Sequence, residues 1–260
     1  MLRMRDRVRE RWEHGQVALN AWLTLEGASS AEVVARAGFD AVTVDLQHGA
    51  ATPDTLATLV AAIEPTGAVP FARLPWNDPA SAMRALDLGV RGVIAPMVSS
   101  ADEARVLARA CRYPPRGDRS YGPVRSAFGR GREQTERANE SILVFAQIET
   151  AEGLAAAADI CAVDGLDGVY VGPADLSLSL GHPSFADLDD PPLLEALDEI
   201  LEATRIHGVV AGIHAPSAAA AVAMARRGFT FVGSAGDGDT LSSALSASIE
   251  LVRAQLERPT

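Results

Sequence analysis

The sequence contains no lysine, because all 23 residues in the combined Lys and Arg count are arginines. Schiff-base aldolases, pyridoxal phosphate enzymes and P-loop NTPases each need a lysine amine for their chemistry. These three classes of protein are therefore excluded for this chain.

Cysteine is also scarce, with Cys111 and Cys161 the two residues of this type. They have neither CxxC spacing nor a nearby histidine, so we interpret both as buried apolar residues in a reducing compartment. Metal binding through thiolates is not expected.

Long apolar runs and excess positive charge are missing as well. No apolar run is long enough to span a bilayer, and residues 1–11 lack the apolar core of a signal peptide, so we expect a cytoplasmic protein with no membrane partner. The formal net charge of −11 argues against nucleic acid or an anionic membrane as the main partner, since either would be repelled.

The sequence does contain a repeated alternation of short apolar runs with helical segments. Predicted strands cover residues 16–23, 40–45, 68–73, 90–95, 144–149, 169–175, 208–214 and 229–234. Predicted helices begin at a capping box over Ser29–Glu32 and at Thr52, Asn77–Asp78, Ser100, Thr150, Pro192, Ser217 and Asp239. Eight strand-then-helix units favour one closed (β/α)8 barrel of the α/β class over a doubly wound sheet. We expect a single domain over residues 1–260, with an extra N-terminal helix.

Two of the predicted strands end in carboxylates that a strand interior would not tolerate unpaired. Glu149 and Asp175 lie 26 residues apart, a spacing that suits one helix and a return strand. In a barrel, both would emerge at the end where the C-termini of the strands meet, here called the mouth. Two oxygen ligands at the mouth indicate a site for Mg²⁺ or a similar divalent ion. The alternative is a helix N-cap with a turn aspartate.

Other chemically active side chains also fall at predicted strand ends and should converge on the mouth. These residues are Trp22, Asp45, His48, Arg73, Gln147 and His214. Asp45 precedes His48 by three residues and could orient its ring as a general base, whereas Arg73 suits stabilisation of oxyanion charge. His214 is either a third metal ligand or a barrel-top side chain without a chemical role. The arginine-rich connection Arg112–Arg132 is a functional loop, a partner contact or a solvated crossover.

These residues and their surroundings resemble the metal-dependent pyruvate aldolases of the HpcH/HpaI type, within the aldolase and citrate lyase superfamily. The matching pieces are Trp22, the block from Gly38 to Gly49 with Asp45 and His48, Arg73–Asp78, Pro96–Val98, Arg112–Gly117, Gln147–Thr150 and Gly172–Ser177. They cover nearly the whole chain in the family's order.

The resemblance implies reversible cleavage of a 4-hydroxy-2-oxo acid to pyruvate and an aldehyde, through a pyruvate enolate bound to the metal. It implies that Glu149 and Asp175 hold Mg²⁺, Mn²⁺ or Co²⁺, and that the backbone from Gly172 to Ala174 receives the carboxylate of pyruvate.

The resemblance also assigns roles to the remaining residues. Arg73 would bind the keto oxygen, His48, oriented by Asp45, would be the acid/base with a metal-held water, and Gln147 and Trp22 would line the pocket. A homo-oligomer, a trimer or hexamer, is implied, with the last helix packed on a neighbouring barrel.

Two other functions remain open from the sequence. A carbon–carbon lyase acting on a coenzyme A thioester would use the same metal chemistry and need a basic groove, for which Arg112–Arg132 is the candidate. A non-catalytic barrel that binds a 2-oxo acid is the second. The exits of strands seven and eight, residues 212–216 and 233–239, differ from the family pattern, so the resemblance does not define the aldehyde side of the pocket.

Overall fold

The structure is a computed structural model that describes residues 6–123, 125, 134–182 and 187–256. The strands are β1 (Ala18–Leu23), β2 (Ala41–Asp45), β3 (Val69–Arg73), β4 (Gly92–Ala95), β5 (Leu143–Ile148), β6 (Gly168–Val171), β7 (Val210–His214) and β8 (Phe231–Gly236). The helices are α1 (Arg7–Glu13), α2 (Ala28–Arg36), α3 (Pro53–Ile63), α4 (Pro79–Asp87), α5 (Ala101–Ala110), α6 (Gln134–Ser141), α7 (Ala151–Ala155), α8 (Ala157–Cys161), α9 (Pro173–Ser179), α10 (Pro191–His207), α11 (Ala218–Arg227) and α12 (Asp237–Leu256). A 3₁₀ turn, Glu64–Thr66, follows α3.

The strands form a closed parallel barrel in the order β1 to β8, with β8 paired to β1. The predicted (β/α)8 barrel with an extra N-terminal helix is therefore confirmed. Asp45 and Arg73 are register partners at the last positions of β2 and β3, so the backbone pairing alone brings these two side chains to the mouth. None of the described helices is both long enough and apolar enough to cross a membrane.

Most predicted helix starts agree with the structure. Asp78, Ser100, Thr150 and Ser217 are N-caps whose side chains accept a hydrogen bond from the N–H three residues on. The predicted capping box at Ser29 is wrong, because α2 begins one residue before it, with Gly27 as an N-cap that offers no side chain.

Three further boundaries differ from the sequence-based prediction. The helix predicted over residues 150–158 is two short helices that meet at Ala156. The last helix begins at Asp237 rather than Asp239. The sixth strand ends at Val171, because Pro173 fixes a helical start, so Asp175 lies in the first turn of α9 and not at a strand end.

Large aromatic side chains fill the barrel interior. Phe71, Phe145, Tyr170 and Phe231 are fully buried. Glycines on neighbouring strands make room for these rings: a Cβ on Gly168 would lie 2.6 Å from the Phe145 ring. The interior is therefore a packed core rather than a channel.

Helix α1 covers the end of the barrel opposite the mouth. The ring of Trp12 lies 6.3 Å from that of Phe145 and 6.0 Å from that of Phe231, and Trp12 Nε1 donates to the carbonyl of Thr230. Arg9 pairs with Asp167 at the start of β6. The charged N-terminal helix thus closes this end with an aromatic side chain and an ion pair.

The described part of the arginine-rich connection lies on the same side as α1, away from the mouth. Arg112 is buried and pairs with Asp167 beside β6, and Arg119 pairs with Asp87 at the end of α4. Arg125 pairs with Glu64 after α3. These arginines therefore do not form a basic groove at the mouth; residues 126–132 of the segment lie outside the described residues.

Candidate active site

Asp45 is the centre of a hydrogen-bonded group at the mouth. Its side chain is 1% exposed and accepts two parallel bonds from Arg73, Nε to Oδ1 at 2.9 Å and Nη2 to Oδ2 at 2.5 Å. Trp22 Nε1 donates to Oδ2 at 3.2 Å, and the Gln47 N–H donates to Oδ1 at 3.0 Å. Asp45 thereby fixes the guanidinium of Arg73 in one orientation.

These partners also determine the ionisation of Asp45. Burial by itself would raise its pKa, but the hydrogen bonds and charge of Arg73, with the donors Trp22 and Gln47, outweigh burial and hold the pKa below its ordinary value. Asp45 is therefore a carboxylate at neutral pH.

His48 lies in the loop after β2 and is exposed to solvent. Asp45 Oδ1 accepts from its backbone N–H at 3.3 Å, and the Asp45 oxygens are otherwise engaged by Arg73, Trp22 and Gln47. The expected orientation of the His48 ring by Asp45 is thus replaced by a contact to the backbone. Asp45 thus contacts the backbone of the loop that carries His48 and not the ring.

Glu149 follows β5 and is 2% exposed. Its Oε1 accepts from the Met97 N–H at 2.7 Å, and its Oε2 accepts from Gln147 Nε2. A Cβ on Gly172 would lie 2.5 Å from Glu149 Oε2 and 2.8 Å from Gln147 Nε2. A side chain at residue 172 would displace the ends of both side chains, so the predicted residues Gln147, Glu149 and Gly172 form one tightly packed group.

Met97 is a site residue that the sequence did not reveal. It has a φ of 58°, in the left-handed region that a residue with a side chain rarely adopts. This conformation aims its N–H at Glu149. Strain of this kind, about 1–3 kcal/mol, concentrates at functional sites, and the sequence marks the position only through the matching piece Pro96–Val98, which assigns Met97 no role.

Asp175 and Ala174 are exposed in the first turn of α9, beside Glu149. Burial, with the charge of Asp175, raises the pKa of Glu149. No basic side chain in the described residues pairs directly with Glu149, and Gln147 Oε1 is buried without a partner.

A divalent cation fits this group of oxygen atoms. It would neutralise the repulsion between the two carboxylates and would take the hard oxygen ligands that such ions prefer. Within the described ranges no group of three His, Cys, Asp or Glu side chains could hold a metal, and Glu149 and Asp175 are two carboxylates close enough for their charges to interact.

Trp22 and His214 form a wall on the other side of the mouth. The Trp22 ring stacks on Tyr170 at 5.7 Å, meets the His214 ring edge-on at 5.1 Å, and carries the Arg73 guanidinium 5.0 Å from its centroid. His214 ends β7 and belongs to no group of three His, Cys, Asp or Glu side chains able to hold a metal within the described residues, which argues against its role as a third metal ligand.

Asp237 is a second residue that the sequence analysis missed. It is buried at the start of α12, and its carboxylate accepts from Thr24 N at 2.7 Å, from Leu25 N at 3.1 Å and from Ser30 Oγ at 3.3 Å. It therefore joins the end of β8 to the loop after β1. A signal was available, since Asp237 ends a Gly–Ser–Ala–Gly run typical of a helix start.

Comparisons with known proteins identify the family of the chain. The chain is 41% identical over 249 residues to the hydroxypyruvate/pyruvate aldolase of Rhizorhabdus wittichii, covering 96% of this chain and 99% of that protein. It is 36% identical over 213 residues to the 4-hydroxy-2-oxo-heptane-1,7-dioate aldolase of Klebsiella pneumoniae subsp. pneumoniae, covering 81% of this chain and 80% of that one.

The solved structures give the same relationship. The crystal structure of an HpcH/HpaI aldolase/citrate lyase family protein from Burkholderia cenocepacia J2315 has a TM-score of 0.89 at 31% identity, covering 96% of this chain and 100% of that one. The sequence model of the family HpcH/HpaI aldolase/citrate lyase matches residues 19–244. The resemblance stated from the sequence is confirmed, and the chain belongs to the HpcH/HpaI aldolase/citrate lyase family.

Proposed function

We propose that this carbon–carbon lyase catalyses the reversible aldol cleavage of a 4-hydroxy-2-oxo acid to pyruvate and an aldehyde, with Mg²⁺, Mn²⁺ or Co²⁺ as cofactor. The observation that carries the proposal is Glu149, a buried carboxylate at the mouth that no described basic side chain pairs with. The names of the two aldolase relatives support pyruvate as one product.

Glu149 and Asp175 are assigned as the protein ligands of the cation. When bound, the divalent ion supplies Lewis acidity toward the carboxylate and keto oxygens of a 2-oxo acid. The backbone from Gly172 to Ala174 is assigned to the carboxylate of the substrate, because it lies beside both ligands and has no side chain at Gly172. Gln147 keeps Glu149 in place through its amide.

Arg73 is assigned to the charge that develops on the keto oxygen as the C3–C4 bond breaks. A guanidinium has five N–H groups, and two of those of Arg73 donate to Asp45. Nη1 is left for the substrate, and the charge-assisted bond it can make strengthens as the oxygen becomes negative. Asp45 holds the guanidinium of Arg73, and the ring of Trp22 lies against the guanidinium.

His48 is assigned to the proton of the 4-hydroxyl group. Cleavage requires this proton to leave as the aldehyde carbonyl forms, and condensation requires its return. An exposed imidazole on a short loop anchored by Asp45 can reach the mouth and exchange the proton with solvent.

The proposed function is tested by pyruvate release from several racemic 4-hydroxy-2-oxo acids, before and after EDTA treatment. Release that stops with EDTA and returns with added Mg²⁺, Mn²⁺ or Co²⁺ is the expected result. Absence of metal-dependent release from every substrate would instead favour a non-catalytic barrel.

We further propose that the protein is a homo-oligomer, a trimer or hexamer, in which α12 packs on a neighbouring barrel. Five of the six exposed large apolar residues of α12 recur on one face, Leu241, Leu245, Ile249, Val252 and Leu256, and Leu251 lies off this face. Leu19 on β1 is 42% exposed, although outward residues of barrel strands are normally covered by a helix. Leu19 and the apolar face of α12 are both exposed apolar surfaces, so each could be buried against the other in a neighbouring subunit.

A cytoplasmic location is part of the proposal. Cys111 and Cys161 are both buried and unpaired, and burial raises the pKa of each thiol to about 12. Two inert free thiols suit a reducing compartment.

A further inference from the structure

The aldehyde half of the substrate determines which 4-hydroxy-2-oxo acid is cleaved, and an inference about it rests on the proposed function. With Glu149 and Asp175 beside β5 and β6, and Arg73 on β3, the 2-oxo acid occupies that side of the mouth. The end of β4 belongs to the same side, because Met97 bonds Glu149, and His48 after β2 is assigned to the 4-hydroxyl proton. The side that is left is formed by the ends of β7, β8 and β1. The aldehyde must therefore lie against this second side.

His214 is the last residue of β7 on this second side. Its ring is held edge-on against Trp22 at an interplanar angle of 70°, and its Nδ1 is buried without a hydrogen-bond partner. A Cβ on Gly233 would lie 3.3 Å from this Nδ1, so a glycine on β8 leaves space for the ring. The residue as a whole is partly exposed. The ring is thus fixed by packing with Nδ1 turned toward β8, and Nε2 is the nitrogen left for a ligand at the mouth.

The other polar side chains near these strand ends are already engaged or covered. Asp237 accepts from Thr24, Leu25 and Ser30. The hydroxyl of Tyr170 is buried beneath the ring of Trp22. Among the residues described on this side, His214 is the one that combines a fixed ring with an unpaired nitrogen.

The charges around His214 favour a neutral ligand. Burial, and then the positive charge of Arg73, lower the pKa of His214, while Asp45 and Asp239 act in the opposite direction. The ring is therefore neutral near pH 7, with one nitrogen as a donor and the other as an acceptor. Arg73 and Asp45 are already paired with each other, so the charge that remains near His214 is the carboxylate of Asp239. This carboxylate would repel an aldehyde that carries a carboxylate of its own.

We propose that His214 is a specificity-determining residue that hydrogen-bonds a hydroxyl group on the aldehyde half of the substrate, next to the carbon that becomes C4. A hydroxyl group both donates and accepts, so it matches either tautomer of a neutral imidazole. An aldehyde with a methyl group at that position leaves the ring nitrogen desolvated and unpaired. The enzyme accordingly selects uncharged hydroxyaldehydes over apolar and carboxylate-bearing ones.

The test compares two aldehydes of the same size, glycolaldehyde and propanal, as partners for pyruvate in condensation. They have the same number of non-hydrogen atoms and differ in a hydroxyl in place of a methyl group. The measured quantity is the ratio of their kcat/KM values within one variant, which cancels any general loss of folded enzyme. His214→Phe keeps a flat ring against Trp22 but has no nitrogen, and His214→Gln keeps a donor and an acceptor.

Wild-type enzyme should prefer glycolaldehyde, and His214→Phe should lower the glycolaldehyde-to-propanal ratio by about tenfold or more. His214→Gln should retain most of the preference. The same change at an exposed histidine on α10, His207→Phe, is the matched control and should leave the ratio as it is in wild type. A ratio that does not respond to His214→Phe, or that falls equally in His214→Gln, overturns the assignment.

Exchange of the C3 protons of pyruvate in D₂O with Mg²⁺ present needs no aldehyde. It therefore distinguishes a failure of the His214 assignment from a failure of the proposed function. Wild-type exchange together with an unresponsive aldehyde ratio overturns the role of His214 alone. If the wild-type enzyme neither exchanges these protons nor condenses pyruvate with either aldehyde, the proposed function fails and the role of His214 fails with it.

Discussion

Arg73 and Asp45 are register partners at the ends of neighbouring strands and are joined by two parallel hydrogen bonds of 2.9 and 2.5 Å. This pairing gives the arginine a single orientation before substrate arrives. It also means that the guanidinium beside the proposed keto-oxygen position is already balanced by a buried carboxylate, so its contribution comes from aimed N–H groups as much as from net charge.

Asp45→Asn should lower the free energy of unfolding at pH 7 by about 3 kcal/mol or more, because it leaves the guanidinium of Arg73 without its charged partner. The pKa of Asp45 is lowered by folding from an ordinary 3.8, so its stabilisation is complete above that value and is lost as the pH falls through the lower folded pKa. The difference between wild type and variant, measured by denaturant unfolding, should be constant from pH 7 to pH 5 and should shrink below pH 4. A constant difference down to pH 2 would contradict this.

Arg73→Lys should reduce aldol cleavage by about a hundredfold or more while the protein stays folded. Lysine keeps the positive charge but cannot make two parallel bonds to Asp45 and still present an N–H to the substrate. Steady-state pyruvate release and the unfolding temperature are the two measurements. Near-normal activity in this variant would remove Arg73 from the mechanism.

His48→Ala and Asp175→Ala should separate turnover from metal binding. Loss of the His48 ring should lower kcat by about a hundredfold with little change in the metal dissociation constant. Loss of the Asp175 carboxylate should weaken metal binding more than about tenfold. Isothermal titration with Mn²⁺, beside pyruvate release at saturating metal, measures both effects, and the opposite assignment of effects would refute the roles given to these residues.

Gly172→Ala tests the packing between Gly172, Gln147 and Glu149. The added Cβ would stand 2.5 Å from Glu149 Oε2, whereas the backbone φ of −96° at residue 172 is acceptable for alanine. The expected result is displacement of Glu149 and a loss of activity of about a hundredfold, with the fold retained. Gly122→Ala is the control, since a Cβ there meets nothing within 4 Å, and equal activity of the two variants would contradict the expectation.

Ile249→Glu tests the proposed role of α12. A charge in the middle of its apolar face should prevent the helix from packing on a neighbouring barrel and should lower the molecular mass in solution, measured by light scattering after size exclusion. Ala247→Glu adds the same charge on the opposite face of the helix and should leave the mass unchanged. A wild-type protein that is already monomeric would overturn the proposed oligomer.

The barrel and most of its mouth could be predicted because the relevant signals are local. Asp45 and Arg73 each end an apolar run, and parallel pairing then brings them together without further information. The position of Asp175 was misjudged by one turn, because a carboxylate after Gly–Pro–Ala reads as a strand end or as a helix start equally well. Asp175 still lies close enough to Glu149 for its charge to raise the pKa of that carboxyl.

The errors arose where the conformation depends on residues distant in sequence. The N–H of Met97 donates to Glu149, which lies 52 positions away in the sequence. The groups that donate hydrogen bonds to Asp237 lie more than 200 positions earlier. The expected pairing of Asp45 with the His48 ring failed for the same reason, since Arg73 on the next strand competes successfully for the carboxylate.

The aromatic filling of the barrel has a kinetic consequence. With Phe71, Phe145, Tyr170 and Phe231 fully buried and Trp12 beneath them, the described part of the molecule offers no rear exit. Substrate must enter, and both products must depart, through the same opening. In the proposed reaction, an arriving substrate and a departing product therefore compete for one passage.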